Sequence, residues 1–326
     1  AAQAHRQPGS SFKPFVYLAA LESGMTPSDV REDQPVTIDG WSPTNFGGHN
    51  YGTLTLSDAL AHSVNTIAVE VAQEVGVGKV VDAAKRLGIE SPLRHHPSLA
   101  LGTSEVTLME MTRAYAAIAS GGLKAYPYFV TEVKTSGGTV LYRRQPPPDD
   151  RVIATSVDRD LTAMMYNVIT SGTGGNAGLW DHEAAGKTGT TQDYHDAWFM
   201  GFTADYAAGV WVGNDDSSPM KNVTGGTLPA EIWRNTMRAA EKGLPAKALN
   251  RSAPYAEVDE DMMATGTEGD DESATPLTTT SPSSATQAPG SQGAAAPSEK
   301  KGGLMNWLFG GKKSASGTDN KDSDGN

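Results

Sequence analysis

A serine three residues ahead of a lysine, in Ser10-Ser11-Phe12-Lys13, is the smallest pairing in this chain that could open an acyl bond. The hydroxyl is a nucleophile, and the lysine can act as its base once burial or a second cation lowers the amine pKa. Two further strings could complete such a site. Ser63-Val64-Asn65 offers a hydroxyl to relay a proton and an amide to hold substrate. Lys187-Thr188-Gly189-Thr190 offers a cation, two hydroxyls for a carboxylate, and a glycine that admits another backbone. Alone, each has an ordinary reading: a helix N-cap followed by a solvated lysine, or a plain polar helix face. Together and in this order they point to serine–lysine acyl transfer.

The elements that must position these groups follow from spacing. Pro8-Gly9 breaks the chain ahead of a helix expected over 10–23, which Gly24 stops. Phe12, Val16, Ala19 and Ala20 form its buried stripe. Ser10 and Lys13 would then share one face of the first turn, where the positive end of the helix dipole favours an oxyanion. A second helix, about 57–74, would carry Ser63 and Asn65 in its interior, where such side chains compete for backbone hydrogen bonds. The third string precedes two apolar runs, 197–202 and 207–213, that read as successive antiparallel strands. Lys187, Thr188, Gly189 and Thr190 would lie on an edge strand, to which an extended peptide can add. Further helices are expected near 77–87, 107–119, 157–170 and 229–242, and a hairpin should join 128–133 to 139–142.

Composition removes several other classes. The net charge of −12 is no footprint for nucleic acid. With no cysteine there is no thiol catalysis, zinc–thiolate site or disulfide. The seven histidines show no H-x-x-x-H spacing, and His95-His96 reads as solvated surface, so no metal or cofactor is expected. Gly186-Lys187-Thr188 could end a phosphate-binding loop, but Asp181 stands where that motif needs glycine and strands follow where it needs a helix. The run Gly172-Thr173-Gly174-Gly175 follows a helix rather than a strand, which also argues against a nucleotide site. Trp198, Phe199, Trp211 and Trp233 read as core. No apolar stretch is long enough to span a membrane.

With these strings in place the chain resembles the transpeptidase domain of the class A penicillin-binding proteins, the bifunctional peptidoglycan synthases. The likeness extends to Arg6-Gln7-Pro8-Gly9-Ser10 leading into Phe12-Lys13-Pro14, to Ala100-Leu101-Gly102-Thr103-Ser104-Glu105-Val106-Thr107, and to Asp196-Ala197-Trp198-Phe199-Met200-Gly201-Phe202. It covers roughly residues 1–243. The resemblance implies an α/β fold of the α+β type, the penicillin-recognising serine transpeptidase and β-lactamase-like fold, with an antiparallel sheet flanked by helices. It implies that Ser10 attacks the penultimate D-Ala carbonyl of a peptidoglycan stem peptide and that Lys13 takes its proton. Ser63, helped by Lys187, would pass that proton to the leaving amine, and Asn65 would hold the substrate amide. Thr188 and Thr190 would bind the terminal carboxylate, and the backbone N–H groups of Ser10 and Thr190 would form the oxyanion hole. A second stem peptide then takes the acyl group, β-lactams trap Ser10, and activator proteins are among the partners such synthases often have.

Rival readings share the motifs. A β-lactamase needs a base for deacylating water, but no E-x-x-L-N string lies between Asn65 and Lys187, and Glu105 and Glu110 read as structural. A hydrolytic D,D-carboxypeptidase and a non-catalytic penicillin-sensing domain remain as alternatives. In the family a glycosyltransferase domain, a membrane anchor and the first strands of the sheet precede the serine, which here stands at position 10. The chain is therefore expected to be an N-terminally truncated piece from the periplasmic side of the bacterial inner membrane. Its sheet would have an uncovered edge, and alone it would be marginal, inactive or poorly labelled by fluorescent penicillin. Residues 1–250 are expected to form the domain, and 251–326 an acidic, low-complexity, disordered tail. Within that tail Leu304, Met305, Trp307, Leu308 and Phe309 stand between Lys300-Lys301 and Lys312-Lys313. This motif reads as a membrane-surface contact, a docking segment or a merely sticky patch.

Overall fold

The computed structural model describes residues 3–253. Apart from its first three positions, the tail expected over 251–326 lies outside those residues, as does its apolar motif at 300–313. In chain order the elements are β1 (His5–Arg6), α1 (Lys13–Glu22), β2 (Val30–Asp33), β3 (Gly52–Thr55), α2 (Leu56–Ala61), α3 (Asn65–Val75), α4 (Val77–Leu87) and β4 (Val106–Thr107). There follow α5 (Leu108–Ala119), β5 (Glu132–Lys134), β6 (Val140–Arg143), α6 (Thr155–Thr170), β7 (Ala185–Thr190), β8 (Asp196–Phe202), β9 (Ala207–Gly213) and α7 (Leu228–Ala240). The last four helices expected from periodicity appear within two residues of their predicted ends. The hairpin turn is in place too, although its first strand is only Glu132–Lys134 and both strands are largely exposed.

Among the described residues every strand pair is antiparallel, and the largest sheet has the order β7-β8-β9. β8 is buried along its whole length because both faces of the sheet are covered. Trp198, Met200 and Phe202 point into a large core shared with α1, α3, α4 and α5. Phe199, one residue out of phase, packs on Trp233 of α7 at 5.1 Å in a second, smaller core. Trp211 is half-buried, so the four aromatics serve packing as expected. Among the described residues no strand pairs with the second edge of β7 or of β9, and all seven residues of β9 are only half-buried.

Two local expectations are corrected. The predicted helix over 10–23 begins instead as a 3-10 turn, Gly9–Phe12, and α1 proper starts at Lys13 with Pro14 in its first turn. The predicted continuous helix over 57–74 is broken into α2 and α3, and the break falls on Ser63. Ser63 takes a left-handed φ of +59°, which costs an L-residue energy unless its surroundings impose it. The apolar stripe runs on across this break because both short helices face the same core, so periodicity alone conceals it. No helix among the described residues is long and apolar enough to cross a membrane.

Candidate active site

The segment that carries Ser10 is held at several points. β1 pairs with β4, the Trp198 indole donates to the Gln7 carbonyl at 2.8 Å, and the Tyr115 hydroxyl donates to the Ser11 carbonyl at 2.7 Å. The Ser11 hydroxyl and N–H both return to the Pro8 carbonyl, closing the turn. Gly9 has φ +56°, and a Cβ there would stand 2.9 Å from the Thr190 carbonyl oxygen and 3.1 Å from its nitrogen. The peptide leading into Ser10 therefore lies against the Thr190 peptide. Gly189 permits this contact from the other side, since its own Cβ would meet the Pro8 oxygen at 2.3 Å. The close approach expected at Gly189 is thus made by the chain's own Ser10 turn.

Ser10 is half-buried, and its side chain makes no hydrogen bond among the described residues. Lys13, fully buried, turns its Nζ toward the break between α2 and α3. It contacts the Ser63 carbonyl at 2.5 Å, the Ser63 hydroxyl at 3.2 Å and the Asn65 amide oxygen at 2.7 Å. Antiparallel pairing places Lys187 opposite Met200 and Gly189 opposite Trp198, which puts both on the sheet face toward α1. Lys187 is also fully buried, with the Thr188 carbonyl and hydroxyl as partners at 3.2 Å. Thr188 and Thr190 stand out of phase with Lys187, and each hydroxyl also has a partner outside the strand. The Thr188 hydroxyl meets that of Thr173 at 2.8 Å, and the Thr190 hydroxyl accepts the Gly225 N–H at 3.0 Å.

The electrostatics follow from burial without an anion. Burial, and then the charge of Lys187, hold the Lys13 amine well below the ordinary lysine value. Burial alone brings Lys187 down to about 7. All three Lys13 partners are neutral oxygens. An ammonium can donate to all three, but a neutral amine has two N–H donors and one lone pair. Two of the oxygens, the Ser63 carbonyl and the Asn65 amide oxygen, can only accept. The neutral amine therefore has one partner able to donate to its lone pair, the Ser63 hydroxyl. That geometry suits Ser63 to proton exchange with Lys13.

The structure thus gathers Lys13, Ser63 and Asn65 into one hydrogen-bonded group. The Ser10 turn and the Lys187–Thr190 segment are brought against it from the sheet. Glu105 is exposed, and Glu110 completes a capping box with Thr107. Burial pushes the Glu110 carboxyl up, but hydrogen bonds from Thr107 and Ser91 outweigh that and hold it at about 2, too acidic for a general base. His95 and His96 are exposed, and His96 caps a turn through Ser98. No His, Cys, Asp and Glu grouping among the described residues could hold a metal ion. Sequence reasoning missed Thr173, Asp33 and Asn45. Thr173 lies in the glycine-rich run considered only for phosphate. Gly172 is needed there because a Cβ would stand 2.2 Å from the Ala61 carbonyl, beside the Ser63 break.

Comparison with known proteins identifies the family. The family model for the penicillin binding protein transpeptidase domain matches residues 1–238. Penicillin-binding protein 1A of Aquifex aeolicus is 37% identical over 252 residues, covering 75% of this chain and 34% of that protein. The protein of the same name from Neisseria lactamica is 37% identical over 263 residues, covering 76% of this chain and 33% of its own length. The chain therefore spans about a third of the length of these curated relatives. Among solved structures, PonA1 of Mycobacterium tuberculosis in complex with penicillin V superposes with a TM-score of 0.70 at 32% identity, over 76% of this chain and 72% of that one. Penicillin-binding protein 1A of Haemophilus influenzae gives a TM-score of 0.71 at 28% identity, over 76% of this chain and 44% of that one.

Proposed function

Because the chain belongs to the penicillin-binding protein transpeptidase family, we propose that it is a D,D-transpeptidase that cross-links peptidoglycan stem peptides through an acyl-enzyme on Ser10. The observation that carries this reading is the convergence of two fully buried lysines and Ser63 beside a serine whose hydroxyl has no protein partner among the described residues. Neutral Lys13 takes the Ser10 proton as Oγ attacks the penultimate D-Ala carbonyl. The proton then passes through the Ser63 hydroxyl to the leaving D-Ala nitrogen, the C–N bond breaks, and an ester remains on Ser10. An acceptor stem-peptide amine attacks that ester, and its proton returns by the same route to the Ser10 oxygen.

Asn65 holds the donor amide, and Lys187 with Thr188 and Thr190 binds its terminal carboxylate. The backbone N–H groups of Ser10 and Thr190 stabilise the oxyanion, each donor of this type contributing about 3 kcal/mol. The contact between the Gly9 and Thr190 peptides supports that last assignment. β-Lactams acylate the same serine, in keeping with the penicillin V complex of the mycobacterial relative. No cofactor takes part. The work belongs to the bacterial cell envelope, on the periplasmic side of the inner membrane. Glycosyl transfer and activator binding are proposed for the whole protein rather than for this domain. Residues 1–250 are proposed as the transpeptidase domain and 251–326 as an appended tail.

The test uses this protein with a fluorescent penicillin and peptide mapping by mass spectrometry. The adduct is expected on Ser10, to be lost in Ser10→Ala, and to deacylate slowly. A donor–acceptor peptide pair is expected to release D-Ala and give a cross-linked product. Labelling that survives Ser10→Ala, or D-Ala release with no cross-linked product at saturating acceptor, would overturn the assignment.

A further inference from the structure

The break at Ser63 demands an agent, because α3 begins without any side-chain cap from its own N-cap residue, Val64. The missing cap comes from 20 residues upstream. The Asn45 amide oxygen accepts the Asn65 N–H at 2.8 Å and reaches the Thr66 N–H at 3.5 Å. Next to it, the Thr44 carbonyl accepts the Asn65 side-chain amide at 2.7 Å. That contact decides which way the Asn65 amide points: its nitrogen is committed to Thr44, so its oxygen faces Lys13.

Asn45 is itself fixed. Its Nδ2 donates to both carboxylate oxygens of Asp33, at 3.0 and 2.8 Å, and to the His49 carbonyl at 3.0 Å. Each polar position of its amide is thereby occupied. Asp33 is 3% exposed and receives two more donors, the Tyr51 N–H at 2.7 Å and the Thr66 hydroxyl. A buried carboxylate with this many donors is satisfied as an anion, and it sits behind the N-terminus of α3, where negative charge is favoured. Asn45 is 7% exposed. Neither residue touches the nucleophile, and neither belongs to the three strings that carry the chemistry.

We infer that Asp33 and Asn45 are positioning residues for acylation, acting through the Ser63–Asn65 turn to aim the Ser63 hydroxyl and the Asn65 oxygen at Lys13. This rests on the transpeptidase reading above. A displacement of about 1 Å in reacting groups can cost on the order of 100-fold in rate. Asn45→Ala is therefore expected to slow acylation of Ser10 by roughly 10- to 100-fold. Asp33→Asn keeps the shape, changes the charge, and should lose less, roughly 3- to 10-fold.

The experiment follows the fluorescent-penicillin acylation rate of the natural protein and its variants, per mole of folded protein, with folding checked by circular dichroism melts. The separating measurement is a double-mutant cycle with Ser63→Ala. If Asn45 acts through Ser63, the loss from Asn45→Ala shrinks several-fold in the Ser63→Ala background. A general structural defect would multiply through undiminished. Should Asn45→Ala not fold, the Asp33→Asn cycle carries the test. A parent that never acylates at Ser10 sinks the functional reading and this inference with it. A parent that acylates, with Asn45→Ala or Asp33→Asn equally fast or with undiminished losses in the cycle, sinks this inference alone.

Discussion

Asp158 should make this fold less stable as pH rises, and Asp158→Asn should remove that dependence. The residue lies in the first turn of α6, is 1% exposed, and neither carboxyl oxygen has a hydrogen-bond partner among the described residues. Arg151, the cation whose charge acts on it, turns its Nη1 to the Gly121 and Ile153 carbonyls instead. Burial accordingly raises the Asp158 carboxyl from 3.8 to about 7, with Arg151 opposing. A folded-state pKa above the unfolded one means the native state holds the proton more tightly. Its contribution is fully present below pH 3.8 and disappears as pH rises through about 7. Three pKa units correspond to a ceiling of about 4 kcal/mol, at 1.36 kcal/mol per unit.

The assay is urea unfolding of the chain and its Asp158→Asn variant at half-unit steps from pH 4 to pH 9. The two should be nearly equal at pH 4. Their difference should grow by up to about 1.4 kcal/mol per pH unit and level off near pH 8, with the asparagine variant more stable by roughly 2–4 kcal/mol. A difference that is flat with pH, or a variant that is less stable at pH 8, would refute the assignment of an unpaired buried carboxyl.

Three further outcomes follow from the site. Lys187→Met removes the second cause that lowers the Lys13 pKa, so the acidic limb of the acylation rate against pH should move to higher pH; a limb that stays put or falls would contradict the coupling. Thr173→Val removes the hydroxyl that pairs with Thr188 at 2.8 Å, and is expected to weaken non-covalent β-lactam binding about 3- to 10-fold, the equivalent of a single hydrogen bond, with little change in the acylation step. Gly189→Ala forces a Cβ to within 2.3 Å of the Pro8 oxygen, so labelling of Ser10 should fall to near background, and parental labelling would show that the turn yields more easily than the packing implies.

What could be read from the residues was what local pattern determines. The three strings, the helix Val77–Leu87 and the strands β8 and β9 all follow from spacing and apolar periodicity. The 3-10 turn at Ser10 did not, because packing of Pro8 on Gly189 produces it, and those residues lie far apart in sequence. The break at Ser63 was hidden for a related reason. Its apolar stripe runs on unbroken, while the agent of the break, Asn45 with Asp33, sits in a loop and a short strand with no periodic signal. Thr173 was visible, but its glycine-rich setting suggested phosphate, and only its position beside Ala61 and Thr188 reveals another use.

The poise of the site depends on keeping carboxylates out of reach of two desolvated amines. Lys13 and Lys187 are hydrogen-bonded to neutral oxygens only. The buried carboxylate behind the Ser63–Asn65 turn, Asp33, is separated from Asn65 by the Asn45 amide. Asn65→Asp would break that arrangement by placing a carboxylate oxygen where the amide oxygen now sits, 2.7 Å from Lys13 Nζ. An opposite charge at such range raises a lysine pKa by roughly 1–3 units. Acylation near pH 7 should then fall by roughly 10- to 1,000-fold, because the base is held protonated. The loss should be recovered as pH is raised, since the amine still deprotonates, only later. An ordinary loss of substrate contact would behave differently, lowering the rate equally at every pH. A uniformly slow Asn65→Asp variant would therefore show that Asn65 serves substrate alone, and that the neutrality of the oxygens around Lys13 has no part in setting its proton affinity.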